Sequence, residues 1–211
     1  VAHVASFLTA LLTALVAPPR CTACDAPVRL GVAFCPRCAL TLVRCEPREG
    51  RWGAFVYAGA VADAVRRLKF EDRPDLARPL AAGWGALLPE LREARVDVLV
   101  PVPLHASRLV ERGYNQSALL AGELSAMLGV PSLPLMLARP VATERQTDLP
   151  ASARATNVAG AFHVRRPREA AGRRILLVDD VETTGATLDA CARALEQAGA
   201  ARVFAAVVAR A

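Results

Sequence analysis

Lysine is almost missing from this chain: of its 26 basic residues only Lys69 is lysine, and the others are arginine. The bias towards arginine and alanine carries no function of its own, but it makes Lys69 conspicuous. Aromatic residues are also scarce, at 5%, and the sequence offers no obvious stacking platform for single-stranded nucleic acid. A net charge of +6 suits solubility and a mild attraction to anions rather than a dedicated nucleic-acid surface. A long hydrophobic run is lacking too. Val1 to Ala17 is apolar, but it is too short to span a bilayer, has no basic leader, and runs straight into Cys21. Its Val4, Phe7, Leu8, Leu11, Leu12 and Leu15 share one side of a helical wheel, so an amphipathic docking helix is expected over 1–17 and no membrane span. Because Val1 stands first, a missing start or an unusual start codon is expected. The six cysteines are not evenly spread, which argues against a disulfide framework and for a reducing, cytoplasmic compartment.

What is present points to a sizeable core. An apolar fraction of 54% over 211 residues suits one main domain with a small appendage and argues against disorder. After Pro18 and Pro19, Cys21, Cys24, Cys35 and Cys38 follow the pattern C-x2-C-x10-C-x2-C. Four thiolates in two knuckles can close a tetrahedral Zn²⁺ site without an open position, so a structural zinc ribbon is expected over 18–48, ahead of a larger domain over 49–211. A redox role for these pairs would need a thioredoxin-like setting, which the surrounding sequence lacks. Cys45 reads as a spare thiol and Cys191 as core.

The larger domain reads as strands alternating with helices. Strands are expected at Ala54 to Ala58, Val96 to Val102, Ile175 to Val178 and Arg202 to Ala209, with an edge strand at Leu133 to Leu137 and strand character at Val158 to Val164. Pro101 and Pro103 mark the end of the second, since neither can continue an interior ladder. Helices are expected from Val61 to Phe70, with Val61, Ala64, Val65 and Leu68 inward, and from Leu76 to Leu88, weakened by Gly83 and Gly85. A further helix should start after Asn115 as N-cap and run to Leu128, with Gly129 as its stop. Between strand and helix, HASRLVERGYNQ reads as a basic loop in which His105, Arg108 and Arg112 gather near a strand exit. Arg139 to Asn157 is polar and without period, as in lids and binding loops.

The chemically richest stretch is RRILLVDDVETTGAT, Arg173 to Thr187. Ile175 to Val178 form an apolar run suited to a strand buried on both faces. Asp179 and Asp180 end it, and Thr183, Thr184 and Gly185 lead into a helix from Ala186 to Ala198, closed by Gly199. Backbone N–H groups, hydroxyls and a helix N-terminus favour a phosphate there. The two acids suit sugar hydroxyls or a hydrated Mg²⁺. Chemistry alone leaves several nucleotide or sugar-phosphate ligands open.

Leu176 to Thr187 resembles the phosphoribosyl-pyrophosphate (PRPP) motif of type I phosphoribosyltransferases. Together with the four-cysteine ribbon, RLKF at Arg67 to Phe70, VPVPLHASRLVERGYNQ at Val100 to Gln116, and the series Gln146, Leu149, Arg154, Asn157, Gly160 and Phe162, it resembles the ComF competence family. The resemblance implies an α/β fold with a central, mainly parallel sheet flanked by helices. It implies that Asp179 and Asp180 hold the ribose hydroxyls, that Thr183, Thr184, Gly185, Ala186 and Thr187 cradle the 5′-phosphate, and that Arg108 and Arg112 meet the pyrophosphate. Gln146 and Arg154 fall in the implied lid over the same site. Lys69 turns from an ordinary solvated lysine at a helix C-terminus into a candidate for the site. Glu182, a carboxylate inside the phosphate loop, is unfavourable unless it points away. Mg²⁺ with PRPP and a structural Zn²⁺ are the implied metals, and Trp52 to Phe70 with the ribbon would choose the acceptor.

Three readings follow: a phosphoribosyltransferase serving DNA uptake, a competence component that holds single-stranded DNA or a helicase with vestigial catalysis, and a PRPP sensor without turnover.

Overall fold

The computed structural model describes residues 18–46, 48–140 and 161–211. The amphipathic helix expected over 1–17, Gln146, Arg154, the lid after Pro140 and the strand residues Val158 to Gly160 lie outside them. In chain order the elements are α1 (Pro36–Ala39), β1 (Arg51–Val56), α2 (Gly59–Phe70), α3 (Ala77–Ala81), α4 (Leu88–Glu93), β2 (Val98–Pro101), α5 (Ala106–Arg112), α6 (Gln116–Leu128), β3 (Leu137–Ala138), β4 (His163–Val164), α7 (Pro167–Ala170), β5 (Arg174–Glu182), α8 (Ala186–Gln197) and β6 (Arg202–Arg210).

Four strands form one parallel sheet in the order β1-β6-β5-β2. Alternation explains why the central strands are apolar throughout. Leu176 and Val178 pack on one face with Leu99, Phe204 and Val208, while Ile175 and Leu177 pack on the other with Val98, Val100 and Val207. Helices α2, α3 and α6 cover the first face, and α8 with the small β3–β4 pair covers the second. Hydrophobic burial on both faces thus fixes the strand whose far end carries the two acids. Helix α2 buries Val61, Ala64, Val65 and Leu68 completely, as its spacing predicts.

The structure departs from the sequence reading in several places. The strand expected at Ala54 to Ala58 lies earlier, at Arg51–Val56. The single helix expected at Leu76 to Leu88 is broken into 3-10 turns at Pro74–Leu76 and Ala82–Leu87 around α3. The cause is close packing. A Cβ on Gly83 would come within 2.4 Å of the Phe55 ring, so this segment presses backbone on an aromatic face rather than completing a helix. Pro101 closes β2 from within it, because Val102 N–H donates to Val178 O, and Leu99 N–H turns the other way to Pro131 O. Pro101 lies two residues beyond Leu99 and so shares its edge, facing away from β5, and its missing N–H costs the β2–β5 ladder nothing. Leu99 also bridges Ser132, and the edge strand expected at Leu133 to Leu137 is reduced to Leu137–Ala138.

Residues 21–35 are no loose appendage. Cys21, Ala23, Phe34 and Cys35 belong to the same buried cluster as Val65 and Leu68 of α2. Arg67 of α2, itself buried, donates from Nη1 to Thr22 O (3.0 Å) and pairs with Asp25 through Nη2. Cys45 donates its thiol hydrogen to Phe55 O at 2.8 Å, and Cys191 is fully buried.

Candidate functional site

The four N-terminal cysteines converge: their Sγ atoms all lie within 4.8 Å of one another. Cys24 and Cys35 sulfurs are 3.8 Å apart, close to the ~3.8 Å that a tetrahedron with Zn–S bonds of ~2.3 Å requires. Cys35 N–H donates to Cys21 Sγ at 3.3 Å, and Thr22 N–H and Oγ1–H both donate to Ala33 O, which ties the knuckles together. Burial raises the Cys21 thiol, but backbone N–H donors from Cys35, Cys24 and Ala23 outweigh it and bring it to about 6. A donor set of four sulfurs with these spacings fits a zinc ion.

The second cluster lies where β5 leaves the sheet. This strand is longer than the sequence predicts, because Asp179, Asp180 and Glu182 remain inside its ladder with β6. Asp179 is buried and accepts from Ser117 Oγ (2.7 Å), on the first turn of α6, and from Asp180 N–H (2.9 Å). Burial first, and Asp180 beside it second, push the Asp179 carboxyl up to about 7. Asp180 is paired instead, with Lys69 Nζ 2.9 Å from its Oδ2. Burial pulls Lys69 down, yet Asp180 more than compensates and holds the ammonium above its ordinary range. The lone lysine of the chain is therefore not a solvated helix end; α2 delivers it to the acids.

Thr183, Thr184 and Gly185 form the turn from β5 into α8, and Gly185 adopts φ +82° as its N-cap. That φ strains any L side chain, and a Cβ there would also crowd Arg51 Nη1 (2.9 Å) and Glu182 Oε1 (3.2 Å), so glycine is favoured. This contact also settles where Glu182 points. Its Oε1 accepts from Arg51 Nη1 (2.7 Å) and its Oε2 from Arg210 Nε (2.9 Å). Burial raises the Glu182 carboxyl, but the two guanidiniums hold it below its usual range. Arg51 also pairs with Asp189 in the first turn of α8. The carboxylate that seemed hostile to phosphate is thus neutralised and braces the turn.

Opposite the acids, HASRLVERGYNQ is not a loop but α5, capped by His105, whose Nδ1 accepts from Ser107 N–H (3.2 Å), and ended by Gly113 in the left-handed region. His105 is spent on capping. Arg108 and Arg112 face the cavity; Arg108 pairs with Glu111 (2.9 Å), while Arg112 bonds Gln116 Oε1 and lies 5.2 Å from the Phe70 ring centroid. Asn115 caps α6 by accepting from Ser117 N–H at 3.0 Å.

One cavity of about 390 Å³ touches Lys69, both acids, the residues from Thr183 to Thr187, Arg108 and Arg112. It also takes in Arg139, Gln116 and Tyr57, which lie in the implied lid, pyrophosphate loop and acceptor segment without having been singled out, and Ser117, which the sequence does not place there. Arg139 was assigned to the lid; its guanidinium lies 5.4 Å from the Phe162 ring centroid and is pushed down by burial. Ser117 was legible only as a helix-start residue, since its partner Asp179 is remote in sequence. Acids, arginines and a helix N-terminus around one cavity suit a ligand that carries both anionic groups and hydroxyls.

Fold and sequence together define the class, a phosphoribosyltransferase-fold protein. A family model described as phosphoribosyl transferase domain matches residues 115–211. The chain is 34% identical over 201 aligned positions to DNA utilization protein YhgH of Salmonella typhimurium, covering 87% of this chain and 86% of that protein. It is 30% identical over 198 positions to Competence protein F of Haemophilus influenzae, covering 85% of each. With Competence protein ComFC of Bacillus subtilis it shares 28% over 185 positions, covering 86% of this chain and 73% of that one. The chain belongs to the ComF/YhgH family of DNA-utilization and competence proteins.

Proposed function

We propose that this chain binds PRPP with Mg²⁺ and transfers its phosphoribosyl group to an acceptor, releasing pyrophosphate, in support of DNA utilization in the cytoplasm. The observation that carries the reading is the single cavity that joins Asp179 and Asp180, the Thr183–Thr187 turn, and Arg108, Arg112 and Arg139. The 5′-phosphate sits on the turn, where Gly185 opens the backbone and Arg51 and Arg210 cancel Glu182. The two acids receive the ribose hydroxyls, and Lys69 pairs with Asp180 at 2.9 Å. The arginines take the pyrophosphate. In transfer, the bond from ribose C1 to pyrophosphate oxygen breaks with its electron pair leaving on pyrophosphate, and an acceptor lone pair closes on C1. Positive charge growing at C1 is stabilised by the acids, and negative charge on the leaving group by the arginines. Asp179 and Asp180 are the residues that would hold Mg²⁺, which would supply Lewis-acid stabilisation of the leaving group.

No helix among the described residues is long and apolar enough to cross a membrane. We read 18–48 as a zinc ribbon with a structural ion on Cys21, Cys24, Cys35 and Cys38, and 49–211 as the transferase domain. Titration with Mg²⁺ and PRPP followed by pyrophosphate detection tests the reading: saturable binding and release support transfer, and binding without release points to a PRPP sensor.

A second reading, a component that holds single-stranded DNA or a competence helicase, draws on the relatives' names and on Leu30, Val32, Leu40 and Val43, which stand exposed between 30 and 43. A gel-shift series with single-stranded DNA at rising salt tests it, and lack of binding at low salt removes direct DNA contact.

A further inference from the structure

The turn from β5 into α8 carries acids of its own. Three side-chain atoms crowd the place where a Cβ on Gly185 would stand: Arg51 Nη1 at 2.9 Å, Glu182 Oε1 at 3.2 Å and Asp189 Oδ2 at 3.7 Å. Gly185 is the N-cap of α8, and Asp189 lies in the first turn of that helix. Two carboxylates therefore flank the helix N-terminus that the turn offers to a ligand. Carboxylates in that position take up the favourable field that would otherwise serve a bound anion. A phosphate arriving there meets N–H donors and negative charge together, unless something answers the acids.

Two arginines answer them, and the two are not equivalent. Arg210 is 6% exposed, and each guanidinium nitrogen is committed: Nε to Glu182 Oε2 (2.9 Å), Nη1 to Glu46 O (3.1 Å) and Nη2 to Arg51 O (3.0 Å). It belongs to the frame at the end of β6. Arg51 is 33% exposed, and its two terminal nitrogens go to different acids, Nη1 to Glu182 Oε1 (2.7 Å) and Nη2 to Asp189. Burial lowers the Arg51 guanidinium, yet Asp189 and Glu182 outweigh it and hold it above its ordinary range. One side chain from β1 thus links the last residue of β5 to the first turn of α8, the two elements that the turn joins. With both arginines present the charges of Glu182 and Asp189 are balanced; without Arg51 one negative charge is left over and the link is lost.

We infer that Arg51 is a positioning residue for the 5′-phosphate, acting through Glu182 and Asp189, and that the phosphate seat depends on it only while those two acids are present. The inference rests on the transferase reading for the identity of the ligand, and adds what allows a turn with its own carboxylates to accept a dianion. Glu182 lines the cavity and Arg51 does not, so Arg51 exerts its effect without touching the ligand. Its charge and its two ion pairs are the whole of its part.

The test separates the two ends of the ligand. Affinities for ribose 5-phosphate, ribose and magnesium pyrophosphate are measured by isothermal titration for the unaltered protein, Arg51→Met, Arg51→Lys and the triple variant Arg51→Met/Glu182→Gln/Asp189→Asn. Ribose 5-phosphate should bind roughly tenfold or more weakly to Arg51→Met, with Arg51→Lys in between. The triple variant should recover to within about threefold of the unaltered protein, and magnesium pyrophosphate should move by less than about threefold throughout. Equal ribose 5-phosphate affinity in Arg51→Met and the unaltered protein overturns the inference, as does an unaltered protein that binds ribose 5-phosphate no better than ribose. A loss in Arg51→Met that the triple variant does not recover, or that extends equally to pyrophosphate, also overturns it, since the residue would then only hold the fold. Ribose 5-phosphate binding that depends on Arg51 and is recovered in the triple variant, in a protein that releases no pyrophosphate from Mg²⁺·PRPP, keeps the inference and removes the transferase reading.

Discussion

The cysteine cluster and the acid pair pose the same physical problem, ligating groups of like kind held close together by the fold, and solve it differently. The four sulfurs face one another within 4.8 Å, which suits an ion enclosed by protein. The carboxylates are relieved separately, Asp180 by Lys69 and Asp179 by Ser117 with a raised proton affinity, and both face an open cavity. A closed set of identical donors suits a permanent ion that stabilises the fold. Two acids with one counter-cation retain unmet negative charge for something that comes and goes.

The largest effect should come from opening the closed set. Structural zinc contributes on the order of 10 kcal/mol to the folding of isolated knuckles, so Cys35→Ser should lower zinc from about one per chain to near zero and expose 18–46 to protease. Metal analysis with limited proteolysis checks it; full zinc content in the variant would mean that the four sulfurs are not a unit. Next in size is Lys69→Met, which strands Asp180 beside Asp179. Breaking a buried pair from one side costs about 3–5 kcal/mol, and partial exposure of Lys69 places the expected loss towards the lower end, measured by denaturant unfolding.

A smaller, pH-dependent effect belongs to Asp179. An unfolded aspartate releases its proton near pH ~4, whereas the folded one holds it to about 7. Its contribution to the ligand-free protein is therefore full below the unfolded value and is lost as pH rises through about 7. Melting temperature should fall over that window, and Asp179→Asn should flatten the fall. Mg²⁺·PRPP needs the carboxylate, so its binding should strengthen over the same window. The smallest effect crosses between the regions. Arg67 ties Thr22 and Asp25 to α2, two residues from Lys69, so Arg67→Ala should weaken PRPP binding by roughly three- to tenfold. Unchanged affinity would show the two regions to be independent.

Much of this was readable in the sequence because it rests on local periodicity and caps. The apolar run of β5, the inward stripe of α2, and Asn115 and Gly129 at the ends of α6 all follow from neighbours a few residues apart. The family resemblance gathered the acids, the turn and the arginines in advance. What escaped depends on distant partners. Lys69 meeting Asp180, Ser117 meeting Asp179, and Glu182 clamped between Arg51 and Arg210 have no local signature. Helix α5 escaped for another reason: with seven residues between His105 and Gly113 it is too short to show a period, and its arginines read as loop. Gly83 broke a helix that periodicity favoured, because Phe55 needed the space.

The central claim is that the cavity at the end of β5 holds PRPP through Asp179 and Asp180. Isothermal titration of the zinc-loaded chain with PRPP and Mg²⁺, set beside the Asp179→Ala/Asp180→Ala double variant, tests it most directly. The expected result is saturable 1:1 binding that weakens by about 100-fold or more in the double variant. Equal affinity in the two proteins would contradict the account.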